Sequence, residues 1–191
     1  NMSLVIAAIS KDNDIIVCGE GRAVNPITDE VLAENTRKAF KFNDSLIVAF
    51  TGHDTKITPL RIHINLVHLD YDKWDVDSIY KAALKYELEN YKNEKGNLHF
   101  LAAGYDENNN PHLYVIGASE TAVGSYDYFK ERTVSIGDLD CVLDFDKEKD
   151  SIEIIESKIA KTIEEIAKTD QSINDKITAN PKLSLTTQYL D

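Results

Sequence analysis

Two stretches near the start of the chain limit its fold more than any others. Residues 3–10 (SLVIAAIS) and 15–24 (IIVCGEGRAV) are almost wholly apolar and flank a four-residue polar turn, KDND. A strand with one face in water alternates apolar and polar side chains. A run that is apolar at every position needs cover on both faces. The pair therefore reads as a hairpin between two layers of structure.

Further along, residues 25–35 are polar, contain Pro26 and read as a loop. Lys38 to Phe42 alternates, with Phe40 and Phe42 on one face and Lys41 on the other, and Leu46 to Phe50 is a second apolar strand. The period then changes. Ile57, Leu60, Ile64 and Val67 fall at helical spacing up to about Leu69, with Pro59 in the first turns, where a missing N–H is tolerated. Asp75 is the expected N-cap of a second helix whose apolar stripe is Val76, Tyr80, Ala83, Leu84, Leu88 and Tyr91.

Strands are expected at residues 98–105, 112–116, 121–124 and 133–137, and one or two helical turns around 138–145. The strongest helix pattern follows. Asp150 is the expected cap, Glu153 completes a capping box, and Ile152, Ile155, Ile159, Ile163 and Ile166 form one seam. A turn at 170–174 leads to a last strand over 182–190. There is no repeat or linker, so residues 1–191 read as one domain of α+β class. Continuous apolar strands with separate helices fit a four-layer αββα sandwich, two antiparallel sheets between helical layers.

A net charge of −12 disfavours nucleic acid and anionic membranes as partners, since both require a basic footprint. No apolar run reaches the roughly 20 residues that cross a bilayer, and no secretion signal is visible. Cys18 and Cys141 lack CxxC spacing and read as free thiols in a reducing cytoplasm. His53, His63, His68, His99 and His112 show no zinc spacing and read as surface or satisfied strand histidines. No cofactor is expected. Asn1 before Met2 reads as an added residue, with Met2 the natural start. Removal of Met2 would then expose Ser3 with amine and hydroxyl on one residue, the layout of an N-terminal nucleophile.

Several segments, taken in order, resemble the proteasome β-subunit family, including the peptidase subunit of the bacterial ATP-dependent ring protease. Leu101-Ala-Ala-Gly104-Tyr-Asp106, a polar turn and Pro111-His-Leu-Tyr114 resemble its central hairpin. Cys18-Gly-Glu20-Gly-Arg22 resembles the end of its second strand. Arg37-Lys38-Ala-Phe-Lys-Phe42-Asn-Asp44 and Ala49-Phe-Thr-Gly52 resemble the two strands before its first helix. The resemblance covers nearly the whole chain and weakens after Gly137. It implies the fold of N-terminal nucleophile hydrolases.

The resemblance further implies that Ser3, with one extra residue in the turn at 12–14, occupies the position usually held by a threonine nucleophile. Lys38 is then the lysine beside it, Glu20 the acid holding that lysine, Gly52 the oxyanion-hole N–H and Asp170 the late aspartate orienting the amine. Phe50 and Val24 would line the substrate site, and the bulky Phe50 implies small residues before the cut bond. A peptide or small amide is the implied substrate, and a homo-oligomer, with a ring and an ATPase partner as the family's form of it, the implied assembly.

The chain departs from the family pattern twice. Asp138 follows Gly137 where active members carry serine, and Ile173, with Ser172 adjacent, stands three residues after Asp170 where they carry another. The alternative reading is therefore an inactive proteasome-like structural or binding subunit. Residue by residue, plainer roles exist: Ser3 as an exposed second residue, Lys38 on a solvent face, Glu20 in a surface ion pair, Asp170 in a turn.

Overall fold

A computed structural model describes residues 3–67, 71–137 and 141–185. The hairpin forms as expected: β1 (Leu4–Ile9) and β2 (Ile15–Glu20) pair antiparallel, Ile9 opposite Ile15 and Val5 opposite Gly19. β10 (Thr133–Gly137) pairs with the other edge of β1, and β11 (Ile177–Ala179) and β12 (Lys182–Leu183) pair with β2. A second five-stranded sheet runs β5 (Ala39–Asn43), β6 (Leu46–Gly52), β7 (Leu98–Tyr105), β8 (Pro111–Ala118) and β9 (Val123–Asp127), antiparallel throughout.

The continuous apolar runs have a direct explanation. Val5, Ala7 and Ile9 of β1 and Ile15 and Val17 of β2 pack with Ile47 and Ala49 of β6 and Leu101 and Ala103 of β7, so one face of each sheet shares a core with the other. The alternate residues Leu4, Ile6, Ala8, Ile16 and Cys18 pack with Ile155, Ile159 and Ile163 of α3 (Ile152–Ala167). On the second sheet, Leu46, Val48, Phe50, Phe100 and Ala102 pack with Leu60 and Ile64 of α1 (Asp54–Val67) and Val76, Ile79 and Ala83 of α2 (Val76–Asn90). Each fully buried side chain of this size contributes about 1.5–3 kcal/mol. Among the described residues, three α-helices and antiparallel sheets make the chain α+β.

Asp75 caps α2, accepting from Ser78 N–H at 2.8 Å. Several expectations are corrected. The 25–35 stretch is not all loop, because β4 (Val31–Ala33) pairs with β3 (Ala23–Val24). Ser151, not Asp150, caps α3; the Asp150 carboxylate is taken by Asp146 N–H and Lys158. Pro59 is the sixth residue of α1, past its free N–H groups. On α2, Leu88 faces water and Glu87 takes the buried place, beside the buried Lys56 of α1. Residues 141–146 hold no helical turn, and 138–140 lie outside the described residues, as do His68 and the end of the expected last strand.

Candidate active site

The site forms where the end of β2, the start of β1 and the approach to β5 meet. Glu20 is the last residue of β2 and is fully buried. A buried carboxylate is tolerated only when its lone pairs are taken. Here Oε1 accepts from Leu4 N–H (3.3 Å) and from the Lys38 ammonium, and Oε2 accepts from Arg22 N–H (2.7 Å) and Asn174 N–H (3.1 Å). The surface ion pair considered for Glu20 is thus corrected. It takes the Arg22 amide, while the Arg22 guanidinium reaches Glu34 and the Gln171 carbonyl.

Lys38 is 6% exposed, so the solvent-face reading of its side chain is also corrected. Its residue stands one place before β5, where its carbonyl still accepts from Phe50 N–H at 3.0 Å. Nζ donates to Glu20 and to the Arg22 carbonyl (2.7 Å). An ammonium has three donors, so one remains for the space beside it. Burial pushes the Lys38 ammonium below its usual range, and the Glu20 carboxylate acts against that shift.

Ser3 lies between two cavities. One, of about 130 Å³, is lined by Ser3, Lys38, Phe50, Gly52 and Arg61 among others. The second, of about 260 Å³, is lined by Ser3, Val24, Leu32, Gly52 and His53 among others. Ser3, Lys38, Glu20 and Gly52 are therefore gathered in one place, with Phe50 lining one of the two cavities and Val24 the other. No hydrogen bond joins Ser3 to Lys38 among the described residues.

Two glycines set this geometry. Gly137 has φ +128, and a Cβ there would lie 1.7 Å from the Ser3 carbonyl oxygen, so only glycine lets β10 close on the start of β1. Gly52 has φ +121, and a Cβ there would lie 2.2 Å from the Asn97 carbonyl oxygen. The glycine is thus required by the chain that follows α2, whatever else it serves.

Asp170 is engaged within its own turn. Its carboxylate accepts from Ser172 N–H (2.9 Å) and Ser172 hydroxyl (2.6 Å), and among the described residues it is bonded to neither Ser3 nor Lys38. Ile173 is buried against α3, and the next residue, Asn174, supplies the amide on Glu20. The turn reaches the site through Asn174, a residue with no signal in the sequence because its contribution is a backbone N–H. Asp138 lies outside the described residues.

Two other lining groups were not legible beforehand. The Thr51 hydroxyl is buried without a hydrogen-bond partner among the described residues, and Arg61 stacks over Phe40 and Phe50. Arg61 lies on α1 with nothing local to mark it out. No group of three His, Cys, Asp or Glu among the described residues could hold a metal ion. Nor is any helix among them long and apolar enough to cross a membrane.

No curated protein matches the chain in sequence. The Proteasome subunit family matches residues 3–174, from the serine between the two cavities to the asparagine on Glu20. With that span covering most of its length, the chain belongs to the proteasome subunit family.

Proposed function

We propose that the protein is a proteasome-like N-terminal nucleophile hydrolase, a peptidase or amidase, with Ser3 as nucleophile once the residues before it are removed. The observation that carries this reading is the shared cavity of Ser3, Lys38 and Gly52, with Lys38 held by a fully bonded Glu20. A serine hydroxyl needs a base. A free α-amine titrates at roughly 7.7–8.0 and serves as that base beside its own hydroxyl. The remaining N–H of Lys38 would steady the developing alkoxide and lower the proton affinity of the amine. Gly52 N–H would meet the oxyanion, a contact worth about 3–4 kcal/mol. Asp170 would act through its turn, with Ser172 standing in for the serine expected one place later.

The same reading takes the two sheets and their flanking helices as a four-layer αββα sandwich in one domain. The support is the core common to both sheets, with α1 and α2 packed on one outer face and α3 on the other. A peptide or small amide is the substrate, with small residues before the cut bond because Phe50 walls a cavity of about 130 Å³. A cytoplasmic homo-oligomer, ring-shaped and served by an ATPase, is the assembly proposed with it.

The intact mass of the purified protein is expected to show Ser3 as the first residue, and a β-lactone or epoxyketone is expected to add to it. Retained Met2 would leave Ser3 without a free amine and end the mechanism. A second reading, an inactive structural subunit, is favoured by the engagement of Asp170 with Ser172 rather than with Ser3. Peptide turnover that disappears in Ser3→Ala would dispose of it.

A further inference from the structure

We propose that Arg61 makes the smaller Ser3 cavity a subsite for an acidic side chain, so that the preferred substrates carry aspartate or glutamate before the cleaved bond. This rests on the hydrolase reading above and names its substrate class.

The molecule as a whole carries 33 acidic against 21 basic residues, yet this cavity reverses the balance. Arg37, Lys38 and Arg61 line it, against the single carboxylate of Asp54. Lys38 is already committed to Glu20. Arg37 and Arg61 have no carboxylate within ion-pair distance among the described residues. An arginine without a counter-ion beside a nucleophile is an invitation to an anionic substrate group.

The geometry of Arg61 makes it more than a loose surface charge. Its guanidinium carbon lies 4.7 Å from the Phe40 ring centre and 5.7 Å from that of Phe50. Stacking on aromatic faces holds the planar group while its N–H donors stay available in plane, the arrangement that suits a carboxylate. Phe50 thus does two things: it shortens the cavity and seats the cation. The volume, about 130 Å³, suits a short side chain and not an aromatic one. A basic side chain would meet three cations.

The test compares fluorogenic peptides that differ only in Asp against Asn, and Glu against Gln, before the reporter amide. The acids are expected to be favoured in kcat/KM by about fivefold at low salt, the scale of one screened ion pair, and the preference should fade as salt rises. Arg61→Met keeps the stem over the two rings and is expected to bring each ratio to about one, while Arg61→Lys retains part of the preference. Equal turnover of acid and amide, or a ratio untouched by Arg61→Met, would overturn the proposal.

A second arm needs no catalysis. Fluorescein-labelled peptides ending in Asp-amide or Asn-amide are titrated into Ser3→Ala protein and followed by anisotropy. Acid-selective binding that Arg61→Met abolishes upholds the subsite even if the wild type cleaves nothing, in which case only the hydrolase reading falls. Equal binding, or none of either peptide, rejects the subsite.

Discussion

Glu20 takes hydrogen bonds from four separate stretches of chain: the start of β1, the segment after β2, Lys38 and the 170–174 turn. Its carboxylate serves stability and chemistry at once, because the groups that satisfy it are also those that fix the lysine. Glu20→Gln would turn an amide N–H₂ toward the donors it now accepts from and leave the buried Lys38 without its counter-charge. Breaking a buried pair in this way costs about 3–5 kcal/mol. The exposed pair of Arg22 and Glu34 offers an internal comparison, since Glu34→Gln is expected to cost less than about 1 kcal/mol. Urea unfolding of both variants checks this. Similar midpoints for the two would mean that Glu20 does not hold the site together.

Among the elements, the edge of the second sheet is fastened to its neighbours by ionisable groups. His112 on β8 bonds Asp127 of β9 through Nδ1 (2.7 Å) and Asp106 of the β7–β8 turn through Nε2 (2.8 Å). Its ring stacks on Tyr114, whose hydroxyl donates to Asp77 of α2 at 2.6 Å, and Tyr114 stacks in turn on Tyr80 of the same helix. The Asp127 hydrogen bond, with Asp106 adding and burial opposing, raises the His112 pKa from 6.5 to about 9. The folded state therefore holds this proton more tightly than the unfolded chain does. The stability it lends is complete below about pH 6.5 and is lost as pH rises through 9. One pKa unit is worth about 1.4 kcal/mol, so the loss is about 3 kcal/mol at most. Unfolding midpoints are expected to fall between pH 6.5 and 9.5 in the wild type and to stay nearly level in His112→Asn. Parallel slopes would place the titration elsewhere.

At the scale of the whole molecule, legibility in the sequence followed periodicity and sign of charge. The β1–β2 hairpin was readable because continuous apolar runs have one physical cause, and the α3 seam because five isoleucines repeat at helical spacing. The β3–β4 ribbon was not, since two or three exposed residues carry no pattern. Glu87 defeated the amphipathic reading of α2 because a buried carboxylate breaks the apolar pattern, and Lys56, the cation that partly offsets its desolvation, lies on another helix. At the site, Glu20 and Lys38 were legible through the resemblance to the family, since their charges alone read as surface groups, whereas Asn174, Thr51 and Arg61 come together only through tertiary contact. What stays outside the core is equally telling. α1 leaves Ile62, Leu66 (71% exposed) and Val67 in water, and α2 leaves Leu88 (55% exposed). Single exposed apolar residues are ordinary, but four on two helices packed on one sheet face are suited to burial against a second copy of the chain. Members of the family assemble into rings, which supports that occupant. With a net charge of −12 on each subunit, association also works against like-charge repulsion, and salt should screen the repulsion while leaving apolar contact intact. The mass by light scattering is therefore expected to be a multiple of the 21.5 kDa chain and to rise, not fall, from low to moderate salt. Leu66→Glu combined with Leu88→Glu should reduce it to a folded monomer, because neither residue contributes to the core. A wild-type monomer at tens of micromolar, or an assembly indifferent to both substitutions, would show that these helices face water in the working protein.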